Sequence, residues 1–393
     1  MEIIELYNRT TASTSVVFQS GADKFVNDIG KRTYIGSAFL AGRSKKDIYA
    51  GGIRIKDRLL LETRSALNRR RPGQKVEVGN PGSHNDHSLH WAYYDGQLRW
   101  DEVEIAHNVD ETKMSRKGMK TYVKDVMVQK EQDLYANLIN DYDDLFFAKP
   151  NAGLMEHLSQ ADGESPMMVS IPVFINEEAN GLYTGYSDTN GDFSTIMGID
   201  PTVYTRWVPQ QVTYDYANYS DVTNASNLFA ALDLMARRTH FKPPTKFNKY
   251  FQGDTPVDRF MCITGEDGAT LHSNAMRANG EFFLTDGKQD GSYSNSKARG
   301  IDIMEYQDLD NAELYDDGSN GLTTQDSAAA PGPRFYFINL DYMWTKFFAG
   351  KFFNKGKVKE LADTDGAFRQ PVFLWTQLWC SSRRRHGIVY PSS

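Results

Sequence analysis

Between Ser115 and Ala148 the chain carries the pattern that most restricts its fold. Apolar residues stand at Met119, Tyr122, Val123, Val126, Met127, Leu134, Leu138, Tyr142, Leu145 and Phe146, in steps of three and four that trace one stripe along an α-helix. Lys130 interrupts the stripe, no proline falls inside it, Ser115 is an acceptable N-cap and Pro150 closes the far end. At 1.5 Å per residue such a helix is roughly 50 Å long, more than a compact domain needs, so other elements are expected to lie along it. The alternative is two shorter core helices broken near 130–132.

With 393 residues the chain can form two or three units with a buried core. Its 22 Phe, 21 Tyr and 6 Trp, and a hydrophobic fraction of 40%, exclude a disordered chain. The two cysteines, Cys262 and Cys380, are too few for a disulfide framework and form no CxxC pair, which fits a reducing compartment. The N-terminal MEIIELYNRTTASTS has no basic segment followed by an apolar run, and no stretch reaches the length of a membrane span. Neither export by a signal peptide nor membrane insertion is expected. A net charge of −7 argues against general nucleic-acid affinity, but the charges are segregated along the chain.

Residues 1–50 hold only short apolar runs and read as an arm lying across another surface. Residues 51–112 read as a long hairpin, with strand segments at Gln74–Val78 and Gln97–Ile105 around a polar, Gly-rich tip. Such a ribbon is marginal alone and is expected to rest on a second surface. Its first half is basic, with Arg54, Lys56, Arg58, Arg64, Arg69, Arg70, Arg71 and Lys75 against Asp57 and Glu62. A solvated face, a nucleic-acid contact and a salt-linked contact with a sister subunit all fit that run. The tip carries His84, His87 and His90, with His107 further on. Their HxxHxxH spacing suggests a metal, but no helix surrounds it to set two imidazoles on one face.

Met167–Ile175 (MMVSIPVFI) reads as a buried strand, with Pro172 marking an edge or bulge. Asp188, Asn190 and Asp192 resemble a calcium loop, yet Phe193 and Ile199 stand where Gly and Glu belong. A helix is expected over 224–238, with Leu228, Phe229, Leu232, Met235 and Ala236 on one face. A strand at Pro256–Thr264, a turn at Gly265–Gly268 and a short helix follow, an α+β or α/β order. From Gly300 to Asp326 there is no Lys or Arg, while Asp302, Glu305, Asp308, Asp310, Glu313, Asp316, Asp317 and Asp326 accumulate. This acidic stretch and the basic hairpin are opposite patches of the kind a repeating contact between identical subunits uses. Val372, Leu374, Thr376, Leu378 and Cys380 alternate with Phe373, Trp375, Gln377 and Trp379, a strand expected to be buried on both faces.

No GxSxG elbow, P-loop, strand-linked GxGxxG, HExxH or CxxC occurs. Abundant carboxylates always permit a glycosidase-type pair to be drawn, but sequence does not set the required separation. The triplet Arg383, Arg384, Arg385 reads either as a phosphate site or, more simply, as a charged strand end at an interface. A metal-dependent hydrolase using His84, His87 and His90 is the runner-up function.

Three stretches, GIDPTVYTRW (198–207), RFYFINLDYMW (334–344) and WTQLWCSSRRRHGIVYP (375–391), resemble segments of the major capsid proteins of tailed bacteriophages. The order of elements across nearly the whole chain is similar too. The resemblance implies an α+β capsid fold: an N-terminal arm (1–50), an extended loop (51–112), a peripheral domain with the spine helix (113–199), an axial domain (200–335) and a return to the peripheral domain with the C-terminal strand (336–393). It implies a structural protein without catalytic residues or cofactors, self-assembling as hexamers and pentamers into an icosahedral head. The implied partners are a separate scaffolding protein, a portal, a decoration or cement protein and non-specifically packaged double-stranded DNA, with no membrane. The implied locations are the virion and, during assembly, the host bacterial cytoplasm. Candidate intersubunit contacts are Arg69, Arg70, Arg71, Arg383, Arg384, Arg385, Asp308, Asp310, Asp316 and Asp317. No Lys and Asn of this chain are marked for isopeptide crosslinking. A tail or tube protein would lack the spine helix.

Overall fold

The computed structural model describes residues 16–20, 23–27, 35–40, 48–62, 83–101, 130–131, 133–148, 168–177, 195–221, 223–239, 260–278, 297–298, 301–306, 309, 332–360 and 367–392. In chain order, its first strands are β1 (Val16–Ser20), β2 (Asp23–Asn27), β3 (Ile48–Tyr49), β4 (Arg54–Glu62), β5 (Ser83–His90) and β6 (Ala92–Asp101). Then come β7 (Gln210–Tyr214), β8 (Phe260–Thr264), β9 (Lys297–Ala298), β10 (Ile301–Glu305) and β11 (Phe335–Asn339). The last four are β12 (Met343–Lys355), β13 (Lys359–Glu360), β14 (Ala367–Cys380) and β15 (Gly387–Pro391). Helices and antiparallel and parallel pairings occur together, an α+β architecture.

Two sheets organise it. A five-stranded sheet runs β13-β14-β12-β3, with β6 on the other side of β14; a six-stranded sheet runs β7-β15-β11-β8-β10-β9. Residues 336–393 thus contribute strands to both. Among the described residues the β1–β2 hairpin and the β4–β5 ribbon pair only within themselves.

The six-stranded sheet is apolar on alternate residues of both faces, as period-2 side-chain alternation requires. Met261, Ile263, Tyr336, Ile338 and Ile388 face the large core. Cys262, Phe335, Phe337 and Val389 face a second core, shared with the helices Leu228–Thr239 and Glu266–Ala278. The first of these helices begins where Asn227 Oδ1 accepts the Ala230 N–H at 2.7 Å, an N-cap that satisfies an otherwise orphaned amide. Glu266–Ala278 starts within the stretch expected as a turn, so Gly268 is helical. The acidic stretch begins as a strand, β10, parallel to β8 with Ile303 buried.

Residues 130–131 and 133–144 are helical, with Leu138, Ile139 and Tyr142 buried. Residues 115–129 and 132 lie outside the described residues. The helix gives way to a turn over 145–147, where the Phe146 and Phe147 amides donate to the carbonyls three residues back, tightening the last turn. It packs on one face of the five-stranded sheet, where Gly96 of β6 leaves room for Leu138. Asp143 Oδ1 accepts the Gly36 N–H at 2.7 Å, at the start of the helix Ile35–Leu40, which satisfies one of that helix's free first-turn amides.

Met168–Ile175 is buried as expected but is not a strand: Ile171–Phe174 is a one-turn helix with proline in its first turn, where the missing N–H costs no hydrogen bond. β14 is buried on both faces from Thr376 to Cys380, while Phe373 and Trp375 are half-exposed. In that buried part the Gln377 amide side chain both accepts and donates. Gln377 Oε1 accepts the Val169 N–H at 2.8 Å, and Nε2 donates to His90 O at 2.7 Å. Buried Lys346 lays its ammonium 3.6 Å from the Trp379 ring centroid and 4.8 Å from that of Tyr49, holding β3 against the sheet.

Candidate functional site

The three stretches with the capsid resemblance are remote in sequence and meet in space. Ile196 and Ile199 bridge a two-residue turn in which Met197 and Gly198 both take positive φ, 59° and 77°, the geometry of a primed turn. The Ile196 carbonyl accepts the Trp207 indole N–H at 3.1 Å, and the Met197 carbonyl accepts the Ser88 N–H of β5 at 3.1 Å. Trp207 is buried and its own carbonyl accepts from Arg383 Nη1 at 2.9 Å. Arg383 Nε donates to Phe174 O at 2.8 Å. Three residues on, His386 Nδ1 accepts the Asn339 N–H at 3.1 Å, and its carbonyl accepts the Gln210 N–H at 2.9 Å, which starts the parallel pairing of β15 with β7.

Electrostatics at this junction follow from burial. Desolvation pulls the Arg383 pKa down to about 9, so the guanidinium stays charged near neutrality. Desolvation holds His386 down at about 3, so it stays a neutral acceptor for Asn339. The neighbouring Cys380 thiol is pushed up to about 12 by burial, which makes it an unreactive core residue.

The arginine triplet therefore divides. Arg383 is fully buried and spends its guanidinium inside the subunit, which corrects its assignment as an intersubunit contact. Arg384 is exposed, and Arg385 is half-buried with its guanidinium 5.2 Å from the Tyr342 ring centroid. Arg69, Arg70, Arg71, Asp308, Asp310, Asp316 and Asp317 lie outside the described residues, as do Gln74–Val78 and the calcium-like positions 188–193.

The histidines also differ from expectation. They sit on strand β5, paired antiparallel with β4, and not in a polar tip. On a strand, positions 84 and 90 share one face and 87 takes the other, so the HxxHxxH spacing cannot gather three imidazoles around one ion. His87 is buried, 4.5 Å from the Trp379 ring and 6.2 Å from that of Trp207, a core residue of the junction. Burial, with Arg54 adding to it, lowers the pKa of His90. Among the described residues no three His, Cys, Asp or Glu side chains are grouped to hold a metal, and no helix is long and apolar enough to cross a membrane.

Over most of its length the chain is similar to solved capsid structures. With the cyanophage A-1(L) capsid asymmetric unit it shares 13% identity at a TM-score of 0.49, covering 88% of this chain and 90% of that one. With the capsid of a native GTA particle it shares 9% at 0.48, covering 96% of both chains. With the capsid of Myoviridae phage XM1 it shares 10% at 0.44, covering 95% of this chain and 96% of that one. No family model matches the chain, and no curated protein matches it.

Proposed function

We propose that the chain is a major capsid protein of a tailed bacteriophage, a structural subunit that self-assembles as hexamers and pentamers into an icosahedral head around double-stranded DNA. The observation that carries the reading is the junction itself. Residues drawn from all three stretches of resemblance, Trp207, Asn339, Arg383 and His386, are linked there by buried hydrogen bonds. The likeness between those stretches and tailed-phage capsid proteins thus falls on one structural unit and not on three unrelated loops. The β4–β5 ribbon supports the same reading. Ile55 and Leu89 bury its base in the large core, and a two-stranded ribbon gains stability beyond its base only against a second surface, which a neighbouring subunit supplies.

In this reading residues 1–50 are the arm, 51–112 the extended loop, 113–199 the peripheral domain, 200–335 the axial domain and 336–393 the return. Arg69, Arg70, Arg71, Arg384, Arg385, Asp308, Asp310, Asp316 and Asp317 remain candidates for contacts between subunits. A separate scaffolding protein, a portal and a decoration protein are the partners, and the virion is the location, after assembly in the bacterial cytoplasm. The test is negative-stain microscopy with light scattering of the purified chain, alone and co-expressed with its neighbouring scaffold gene. Closed particles or capsomer rings are expected; a monomer under every condition overturns the proposal.

A further inference from the structure

The outward face of the five-stranded sheet carries a charge pattern that packing does not explain. Strand register sets Lys359 of β13 opposite Arg369 of β14, and Arg369 opposite Arg99 of β6. Cross-strand partners share a face and neighbouring strands are about 4.8 Å apart, so three cations stand side by side within about 10 Å. This face is turned away from the helix over 133–144: Gly96 meets Leu138 on the inner side, whereas Arg99 and Lys359 are exposed and Arg369 half-buried. Among the described residues none of the three has an ion-pair partner. Like charges set directly opposite destabilise a sheet. An anionic partner seated on the row reverses the sign of that effect.

The partner's chemistry follows from the rest of the face. Asp95 lies on it, paired with Phe373, and Tyr93 pairs with Trp375. Lys351 also reaches this face, but its ammonium lies over the Phe373 and Trp375 rings at 3.9 and 5.0 Å. Beyond the row the face thus gives way to aromatic and acidic side chains and not to a continuous track for a polyphosphate backbone. Three charges within about 10 Å suit a short run of carboxylates, and the chain contains one. From Gly300 to Asp326 there are eight Asp and Glu and no Lys or Arg. That stretch leaves through β10 and returns through β11, both in the six-stranded sheet. The cationic row faces away from the large core that the two sheets share, which favours another molecule's acidic stretch over the chain's own.

We propose that the row Lys359–Arg369–Arg99 docks the acidic residues 310–326 of a second copy of this chain, the part of the stretch that follows β10 and the buried Tyr306 and Leu309, an inference that rests on the capsid-subunit reading. Such a contact joins two different patches and so propagates around a ring.

The test titrates a synthetic peptide of residues 310–322, which begins after the buried Leu309, into the unassembled subunit, wild type and Arg99→Glu/Arg369→Glu. The expected result is binding to wild type that falls at least about tenfold in the variant and disappears in about 1 M salt. Arg369→Gln alone is expected to raise the melting temperature of the unassembled subunit by about 1 °C, because it removes repulsion. That gain, together with lost peptide binding, separates a docking role from a structural one. Equal binding by wild type and the double variant overturns the proposal. So does a duplex oligonucleotide that binds the row where the peptide does not. Absence of particles from wild type counts against the capsid reading alone, because peptide binding is measured without assembly.

Discussion

Arg383→Met tests the junction most directly. The wild-type guanidinium donates to Phe174 O at 2.8 Å and to Trp207 O at 2.9 Å, both away from water. Removing it strands two buried carbonyls at about 1–3 kcal/mol each. Part of that loss, about 2–6 kcal/mol in all, is offset because the variant no longer desolvates a cation. Methionine fills much of the space, which keeps the cavity contribution small. The net expectation is a loss of about 3 kcal/mol. For a chain of 393 residues, with an unfolding entropy of about 2.1 cal/mol/K per residue, this is a fall in melting temperature of about 4 °C.

The neighbours supply the control. Arg384→Met changes an exposed side chain and is expected to cost no more than about 0.5 kcal/mol. Arg385→Met removes a half-buried guanidinium from the Tyr342 ring, worth about 0.5–1 kcal/mol. Urea unfolding and calorimetry of the unassembled variants read all three. If they lose stability equally, or if Arg383→Met leaves the midpoint unchanged, the junction does not hold the subunit together as argued.

Two further perturbations follow from the same packing. Burial holds His272 at about 4 and His386 at about 3, against 6.5 for an open imidazole; the unfolded chain then takes up protons that the folded chain refuses. The stability from these two groups is fully present above about pH 6.5 and is lost as the pH falls toward 3, by about 1.4 kcal/mol per pH unit for each histidine. The urea midpoint is expected to drop between pH 7 and 5 and to drop less in His272→Gln/His386→Gln; an unchanged slope rules the account out. A Cβ at Gly387 would run into Met235 Sδ and stand 2.9 Å from Gln210 O, so Gly387→Ala is expected to cost about 1–3 kcal/mol. Adding Met235→Ala should recover part of that loss in thermal melts, and a strictly additive double variant would refute the contact.

What the sequence made legible was period and burial. The stripe at Leu138 and Tyr142, the apolar face at Leu228, Leu232 and Met235 and the β14 alternation from Thr376 to Cys380 are buried, because each is a local pattern whose spacing alone selects helix or strand. Phe373 and Trp375, earlier in β14, are half-exposed. Ile171–Phe174 was misread because four apolar residues around a proline carry no period, and the first turn of a helix accepts proline as readily as a sheet edge does. The histidine segment was misread for the opposite reason. SHNDHSLH is polar enough to read as a turn, yet β4 pairs with it along its whole length, and pairing is a long-range property that the segment does not encode.

The candidate surfaces divide along the same line. Runs of charge that are contiguous in sequence, 69–71 and 383–385, draw attention, but contiguity says little about direction. Arg383 points into the subunit while Arg384 is exposed, and a signal for this lay in the two-sided burial of the strand just before it. The row Lys359–Arg369–Arg99 shows no such clustering: ten residues separate its first pair and 270 separate its second. Only the register of β13, β14 and β6 assembles it. A fold in which one long strand, β14, is flanked by partners from distant parts of the chain can build a cationic surface from residues that look unremarkable one at a time. It can also destroy an apparent one by turning its first arginine inward. Charge patterning should therefore be read along the ladder as well as along the chain wherever a strand this long forms the middle of a sheet.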